Sequence, residues 1–362
     1  MRRQLLAVVV YLASAVAAAE PIAWLYDVEV PVLDQSAEAR QEGAQQALLE
    51  LLSRLTGLQE VPSEPDDAIT TALDQVDRYY SAFRFVEREV IGPDGEPTEQ
   101  LHLRVRFDRN ASLRLLRAAE LPIWRSDRPR VLAWIALETP EGRLLVGTQD
   151  PQEIQDPQEV AATLARGLRE RAEQRGVPVV LPLLDLEDQM AVEPAAVWGR
   201  LEGVLVPASE RYRAQVLLIG QGRQLTGGVW SLSWEVWLGE ERVQQTVRDT
   251  DLEVLAASGT DLVANALAQR YAVVAGQTQG LRLGVLGISD PQAYSRLLRY
   301  LGRLEFVDDV AVTGVTAEHV TLLVTTRADI EQLLTAFAAD ERLAASQHDG
   351  FIPFDAELVW QP

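Results

Sequence analysis

Apolar positions along the first hundred residues switch repeatedly between a period of two and a period near 3.6, and each switch marks an element. Trp24, Tyr26, Val28 and Val30 alternate as in a strand, which Pro31 and Asp34 break. Ser36 then caps a helix with Ala44, Leu48, Leu51, Leu52 and Leu55 on one face, and Gly57 ends it. Ile69, Leu73, Val76 and Tyr80 predict a second helix after Pro65, leading into a strand over Phe83–Val90. After a turn at Gly92-Pro93-Asp94-Gly95, a further strand sets Leu101, Leu103, Val105 and Phe107 against His102, Arg104 and Arg106 on its two faces. A helix follows at Ala111–Ala119. The pattern predicts an N-terminal α+β module, βααββ, over residues 20–122.

From Leu121-Pro122-Ile123-Trp124 to Arg128-Pro129, prolines and charges interrupt the periodicity, as at a domain boundary. A central layered α/β domain is expected over 128–275. It opens on a strand at Val131–Leu137, continues with a helical stripe of Val160, Leu164, Leu168 and Ala172 closed by Gly176, and has an unbroken apolar run at Val177–Leu184 that predicts a strand buried on both faces. Ala214–Ile219 reads as another buried strand. In Val229–Leu238, Trp230, Leu232, Trp234, Val236 and Leu238 share the core face, which turns Trp237 outward as a candidate contact residue. A helix over Asp251–Tyr271 and a linker at Gly276–Gly280 complete the domain. The last segment, 280–362, predicts a ferredoxin-like βαββαβ domain: a strand at Leu281–Ile288, a helix started by Asp290-Pro291 and stopped by Gly302, strands near Phe306–Val315 and Val320–Thr325, a helix bearing Ile330, Leu333, Leu334 and Phe337, and a strand at Ala356–Trp360.

The leading residues add a location. Arg2 and Arg3 precede an apolar run from Leu5 to Val16, and Ala17, Ala18 and Ala19 lead into Glu20, the pattern of a secretory signal peptide cleaved after Ala19. The run falls short of the roughly 20 apolar residues of a membrane span. A twin-arginine signal is the other reading of Arg2-Arg3, but the pair sits at the extreme terminus before a strongly apolar run, which favours the general secretory route. With no cysteine in the chain, neither a disulfide nor a lipidated cysteine is available, and the cleaved protein is expected in the periplasm without membrane insertion.

The formal charge of -21 makes the chain a polyanion, and no run of arginines forms a local basic patch in the sequence, so no nucleic-acid partner is expected. Lysine is absent, which excludes P-loop, Schiff-base and Ser-x-x-Lys chemistry. Only three histidines occur, His102, His319 and His348, and neither a His-x-x-x-His nor a Gly-x-Ser-x-Gly motif does. Gly220-Gln221-Gly222 and Gly284-Val285-Leu286-Gly287 are misspaced for a dinucleotide loop. The single acidic cluster after a buried strand is Asp185, Glu187 and Asp188, where an α/β sheet can hold a ligand or a hard cation; the alternative is a polar loop cap. Arg211 either meets an anionic partner group or pairs with a neighbouring acid to pin a helix.

Four stretches resemble the family called domain of unknown function 2066, exported proteins of proteobacteria. They are Glu29-Val30-Pro31-Val32 with Asp34-Gln35-Ser36 and Arg40; Leu55-Thr56-Gly57; Leu181-Pro182-Leu183-Leu184-Asp185-Leu186-Glu187-Asp188; and Ala208-Ser209-Glu210-Arg211-Tyr212 before the Trp230 and Trp234 strand. The resemblance implies an envelope location and no established activity. By element order, the first module is similar to the polypeptide-transport-associated domains of outer-membrane machines. The middle domain looks like the α/β modules of TolB and of curli-secretion and penicillin-binding-protein activator lipoproteins. Together these readings predict a non-catalytic scaffold or accessory factor of envelope assembly that needs no cofactor and works by contact with envelope proteins. The rival expectation is a metal-dependent enzyme or ligand-binding protein using Asp185, Glu187 and Asp188.

Overall fold

The computed structural model describes residues 22–61, 67–91, 97–140, 142–148, 156–273, 278–316, 318–340, 342–346 and 354–361. The expected signal peptide, the turn at Gly92-Pro93-Asp94-Gly95 and His348 lie outside the described residues. Mixed α and β elements build three sheets, as the change of periods predicts.

The first sheet consists of β1 (Asp27–Pro31), β2 (Tyr80–Ile91) and β3 (Pro97–Phe107), with helices α1 (Ala37–Thr56), α2 (Asp67–Asp74) and α3 (Arg109–Ala118). The strands are antiparallel in the order β1-β3-β2. α1 starts where the Ser36 side chain accepts from Ala39 N at 3.1 Å and stops where Gly57 turns left-handed at φ +77°. A Cβ at Gly57 would stand 2.3 Å from the Ala268 Cβ, so glycine also lets α1 approach a helix of the next sheet. Leu48, Leu51, Leu52 and Leu55 of α1 bury against Val28, Val30, Leu103 and Val105. The second helix is shorter than its spacing predicts. It ends at Asp74, Val76 lies in a 3-10 turn and Tyr80 already opens β2.

The central sheet has the order β5-β4-β7-β8-β9, and a short strand β6 joins the edge of β4 ahead of β5. Its elements are β4 (Val131–Thr139), β5 (Gly142–Val146), α4 (Asp156–Arg175), β6 (Val179–Val180), α5 (Leu186–Ala191), α6 (Pro194–Trp198), α7 (Glu202–Ser209), β7 (Val216–Gln224), β8 (Trp230–Leu238), β9 (Glu241–Asp249) and α8 (Leu252–Tyr271). Only Val179 and Val180 of the apolar run Val177–Leu184 form a strand. Pro178 and Pro182 bracket them and supply no N–H for a longer ladder. α4 and α8 cover one face with Leu164, Leu168, Leu255, Val263 and Leu267, against Trp230, Leu232, Trp234 and Val236. The Trp234 ring lies where Cβ atoms at Gly220 and Gly259 would stand, 2.4 and 2.6 Å away, so both glycines make room for it. Val192 with α6 and α7 covers the other face over Leu132, Trp134, Leu217 and Ile219. This second layer overturns the outward placing of Trp237, which is 5 % exposed and packs with Val192, Val197 and Leu205. The sheet has two cores, so both sets of alternating residues are interior.

The third sheet has the order β11-β12-β10-β14-β13 and combines β10 (Gln279–Leu286), α9 (Pro291–Leu301), β11 (Val307–Val315), β12 (His319–Thr326), α10 (Ile330–Asp340), β13 (Leu343–Ala345) and β14 (Ala356–Trp360). Asp290 caps α9 by accepting from Gln292 N and Ala293 N. The expected linker is taken up in part by β10, which begins at Gln279. Beyond the βαββα portion, β13 adds a fifth strand at the edge, and β14 enters parallel to β10. Three residues are too few for β13 to show a period of two.

The stretch between the first two sheets is interior. Trp124 is 1 % exposed and its N–H donates to Leu55 O at 2.7 Å, while Ile123 bridges to Val273. Arg128 stacks on Trp124, 3.7 Å from the ring centroid, and donates to Arg125 O at 2.9 Å, Gly176 O at 2.5 Å and Arg54 O at 2.5 Å. Burial lowers its pKa to about 9, which leaves the guanidinium charged at neutral pH, held by carbonyl oxygens. Arg125 donates to Ala336 O of α10, and the buried Glu305 accepts from Ser126 and Arg109. Arg175 ties α4 to Asp261 and Asn265 of α8 and to Gly57 O. Residues 123–128 therefore fasten all three sheets to one another.

Candidate functional site

The run Leu181-Pro182-Leu183-Leu184 leaves β6 without strand pairing and delivers Asp185 to the start of α5. Asp185 caps that helix by accepting from Asp188 N at 3.0 Å. Its two oxygens also accept from both terminal nitrogens of Arg211 at 2.8 Å. Asp188, 1 % exposed, accepts from Arg211 Nη1 at 3.0 Å, from Leu184 N at 2.9 Å and from the Tyr212 hydroxyl. Tyr212 Oη in turn accepts from Leu183 N at 2.9 Å, and its ring meets Trp134 edge-on. Glu187 reaches Arg211 at 3.5 Å from the solvent side. Arg211 and Tyr212 lie in the 3-10 turn that follows α7, so the cluster ties the beginning of α5 to the approach to β7.

This geometry gives Arg211 the pinning role. Hydrogen bonds from Arg211, reinforced by the N-terminal amides of α5, hold the Asp185 carboxyl well below the usual carboxylate range. Burial, and then the bond to Asp188, push the Tyr212 hydroxyl up to about 12, so it stays a donor. The carboxylates proposed for a cation are spent on arginine, tyrosine and backbone amides. Among the described residues no group of three or more His, Cys, Asp and Glu is placed to hold a metal. His102 lies 3.8 Å from Glu29 and His319 lies against Phe354, so these two stand in separate sheets.

A pH dependence follows from the pair. Because the folded pKa of Asp185 is depressed, its contribution to stability is present above the unfolded value of about 4 and is lost as pH falls through the folded value. Arg211→Ala is therefore expected to lower the urea midpoint at pH 7, and the gap to the unmutated protein should narrow below about pH 4. An unchanged gap at pH 3 would assign the effect to packing alone.

Above this knot lies a cleft of about 410 Å³ between α5 and α7, with Ala191, Val204, Pro207 and Ala208 on its walls and Asp188 and Arg211 among its lining. The α5 residues that line the cleft are Glu187, Asp188 and Ala191, while Leu186 and Met190 of the same helix are 72 % and 80 % exposed, with Leu183 also exposed just before the helix. Their spacing of four puts Leu186 and Met190 on one side of the helix. That spacing is the signal by which Met190, absent from the sequence reading, could have been found.

No helix among the described residues is long and apolar enough to cross a membrane. No curated protein matches the chain. The family model that matches supports an uncharacterised domain and is not the domain of unknown function 2066 that four stretches of the chain resemble. Two of those four stretches lie beyond that match, and the other two include generic structural chemistry: Asp34 and Ser36 cap a helix, and Thr56-Gly57 closes it. Residues 19–125, which include the first sheet and α1 to α3, match a family model described as a domain of unknown function, DUF8605.

Proposed function

We propose that the chain is exported, cleaved after Ala19, and works in the periplasm as a non-catalytic scaffold or accessory factor of envelope assembly that binds other envelope proteins. The observation that carries the contact role is the exposed apolar pair Leu186 and Met190, one helical turn apart on α5. An exposed apolar cluster is stabilised when a partner covers it, and methionine adapts its shape to such a surface. The base beneath it is stiff, because Asp185, Asp188, Arg211 and Tyr212 satisfy one another and leave α5 little freedom. A preorganised surface loses less entropy on binding. The buried arginines at 125, 128 and 175 support the scaffold part of the reading, since they connect the sheets through several hydrogen bonds each.

The test is the double change Leu186→Glu with Met190→Glu. Both side chains are exposed, so melting should be nearly unchanged while the envelope partner recovered from crosslinked cells is lost. Equal recovery by both proteins, or recovery of no envelope partner by the unmutated one, would count against the role. For export, the purified protein is expected to begin at Glu20; an intact Met1 on cytosolic protein would overturn the location.

A further inference from the structure

The outer face of the first sheet carries a charge opposite to that of the chain. The residues of β2 and β3 that point away from α1 include Arg84, Arg88, Arg104, Arg106 and His102, and β1 adds Asp27 and Glu29. Four arginines against two carboxylates leave a positive surface on a chain of formal charge -21. Alternation over two strands separated in sequence hides this patch from any search for a basic run. Both carboxylates are already engaged: Asp27 by Arg106 at 2.8 Å, Glu29 by Arg104 at 2.6 Å and Arg88 at 2.5 Å. Arg84 acts on Asp27 at longer range than a salt bridge, and it stands directly across from Arg104. Like charges opposite one another weaken a strand pair, so this arrangement does not serve the sheet's own stability.

The same strand has an open side. β2 is 12 residues long and, among the described strands, pairs only with β3 and ends the sheet. Its other side presents backbone N–H and C=O groups to which no described strand is bonded, and such an edge is a template for an added strand. Apolar residues, Ala82 and Val86, alternate with Arg84 and Arg88 on the outer face. An anionic lipid surface would answer the arginines and leave the backbone edge unpaired, whereas an extended polypeptide answers both.

We propose that β2 is a docking edge for an extended acidic segment of a partner protein, which adds as a fourth strand with carboxylates opposite Arg84 and Arg88. The segment would carry acids four residues apart, with an apolar residue midway opposite Val86. This surface is separate from the exposed pair on α5 and does not depend on the role assigned to it.

The test uses the full chain and a fluorescent peptide of about ten residues, with glutamates four apart and valine midway between them. Anisotropy should report binding that weakens as salt rises. Arg84→Glu should lower the affinity at least about tenfold. The same change should leave the melting temperature equal or higher, because it places a carboxylate opposite Arg104, so loss of binding cannot be put down to loss of fold. A peptide N-methylated along one edge keeps its charges and should fail to bind. Absence of peptide binding, equal binding by the N-methylated peptide, or unchanged affinity of Arg84→Glu would each overturn the proposal. So would sedimentation of the chain with phosphatidylglycerol vesicles without any peptide binding, which would give the face to a lipid.

Discussion

Arg128→Ala is expected to destabilise the protein by about 3–5 kcal/mol, read as a fall in the urea midpoint. The guanidinium is 2 % exposed and donates to carbonyls contributed by α1, by the end of α4 and by the connecting segment itself. Removing it leaves those acceptors buried without donors, and it strips the Trp124 ring of its stacked cation. Because the acceptors belong to two different sheets, the unmutated chain should unfold in a transition that the variant splits, as the first and central cores lose their common fastening. Arg128→Lys should rescue little. A compact ammonium on a flexible stem cannot replace a planar fork that spans Gly176 O and Arg54 O. A change below about 1 kcal/mol would show that the junction is dispensable.

Trp237→Ala is the second large effect, expected at about 3–5 kcal/mol. The indole fills the space between β8 and the layer of α6 and α7, with Val192, Val197 and Leu205 around it. Its indole N–H finds no hydrogen-bond partner among the described residues, so Trp237→Phe gives up part of the volume but also removes a buried donor that these residues leave unpaired. The phenylalanine variant should therefore melt much closer to the unmutated protein than the alanine variant. If alanine left the melting temperature unchanged, Trp237 would be a surface residue after all, and the second core of the central sheet would be in error.

These two residues also mark where local pattern stops informing. Elements whose ends are written in nearby residues are legible: Ser36 and Gly57 bound α1, Asp290 and Pro291 start α9, and the strands at 131–137 and 281–286 lie where continuous or alternating apolar residues place them. β9 is not, because it is an edge strand whose exposed and half-buried residues give no clean alternation. Trp237 misleads for a complementary reason. Alternation identifies two faces of a strand and does not say whether the second is covered, which depends on two short helices some thirty to forty residues earlier. At the candidate site, the acids and Arg211 are visible in the sequence, but their pairing joins positions 23 and 26 residues apart. The separation decides between cation ligand and helix pin, and only the fold supplies it. The arginine junction is further still from local reading, since Arg128 meets Arg54 across 74 residues.

The measurement that bears most directly on the contact role is photo-crosslinking in living cells with a photoreactive residue at position 190. The same probe at Val315, an exposed apolar site on β11 of the third sheet, is the control. The account predicts one recurring envelope protein joined at 190, absent at 315, and lost when Leu186 is replaced by glutamate. No adduct at 190, or the same adducts from both positions, would contradict it.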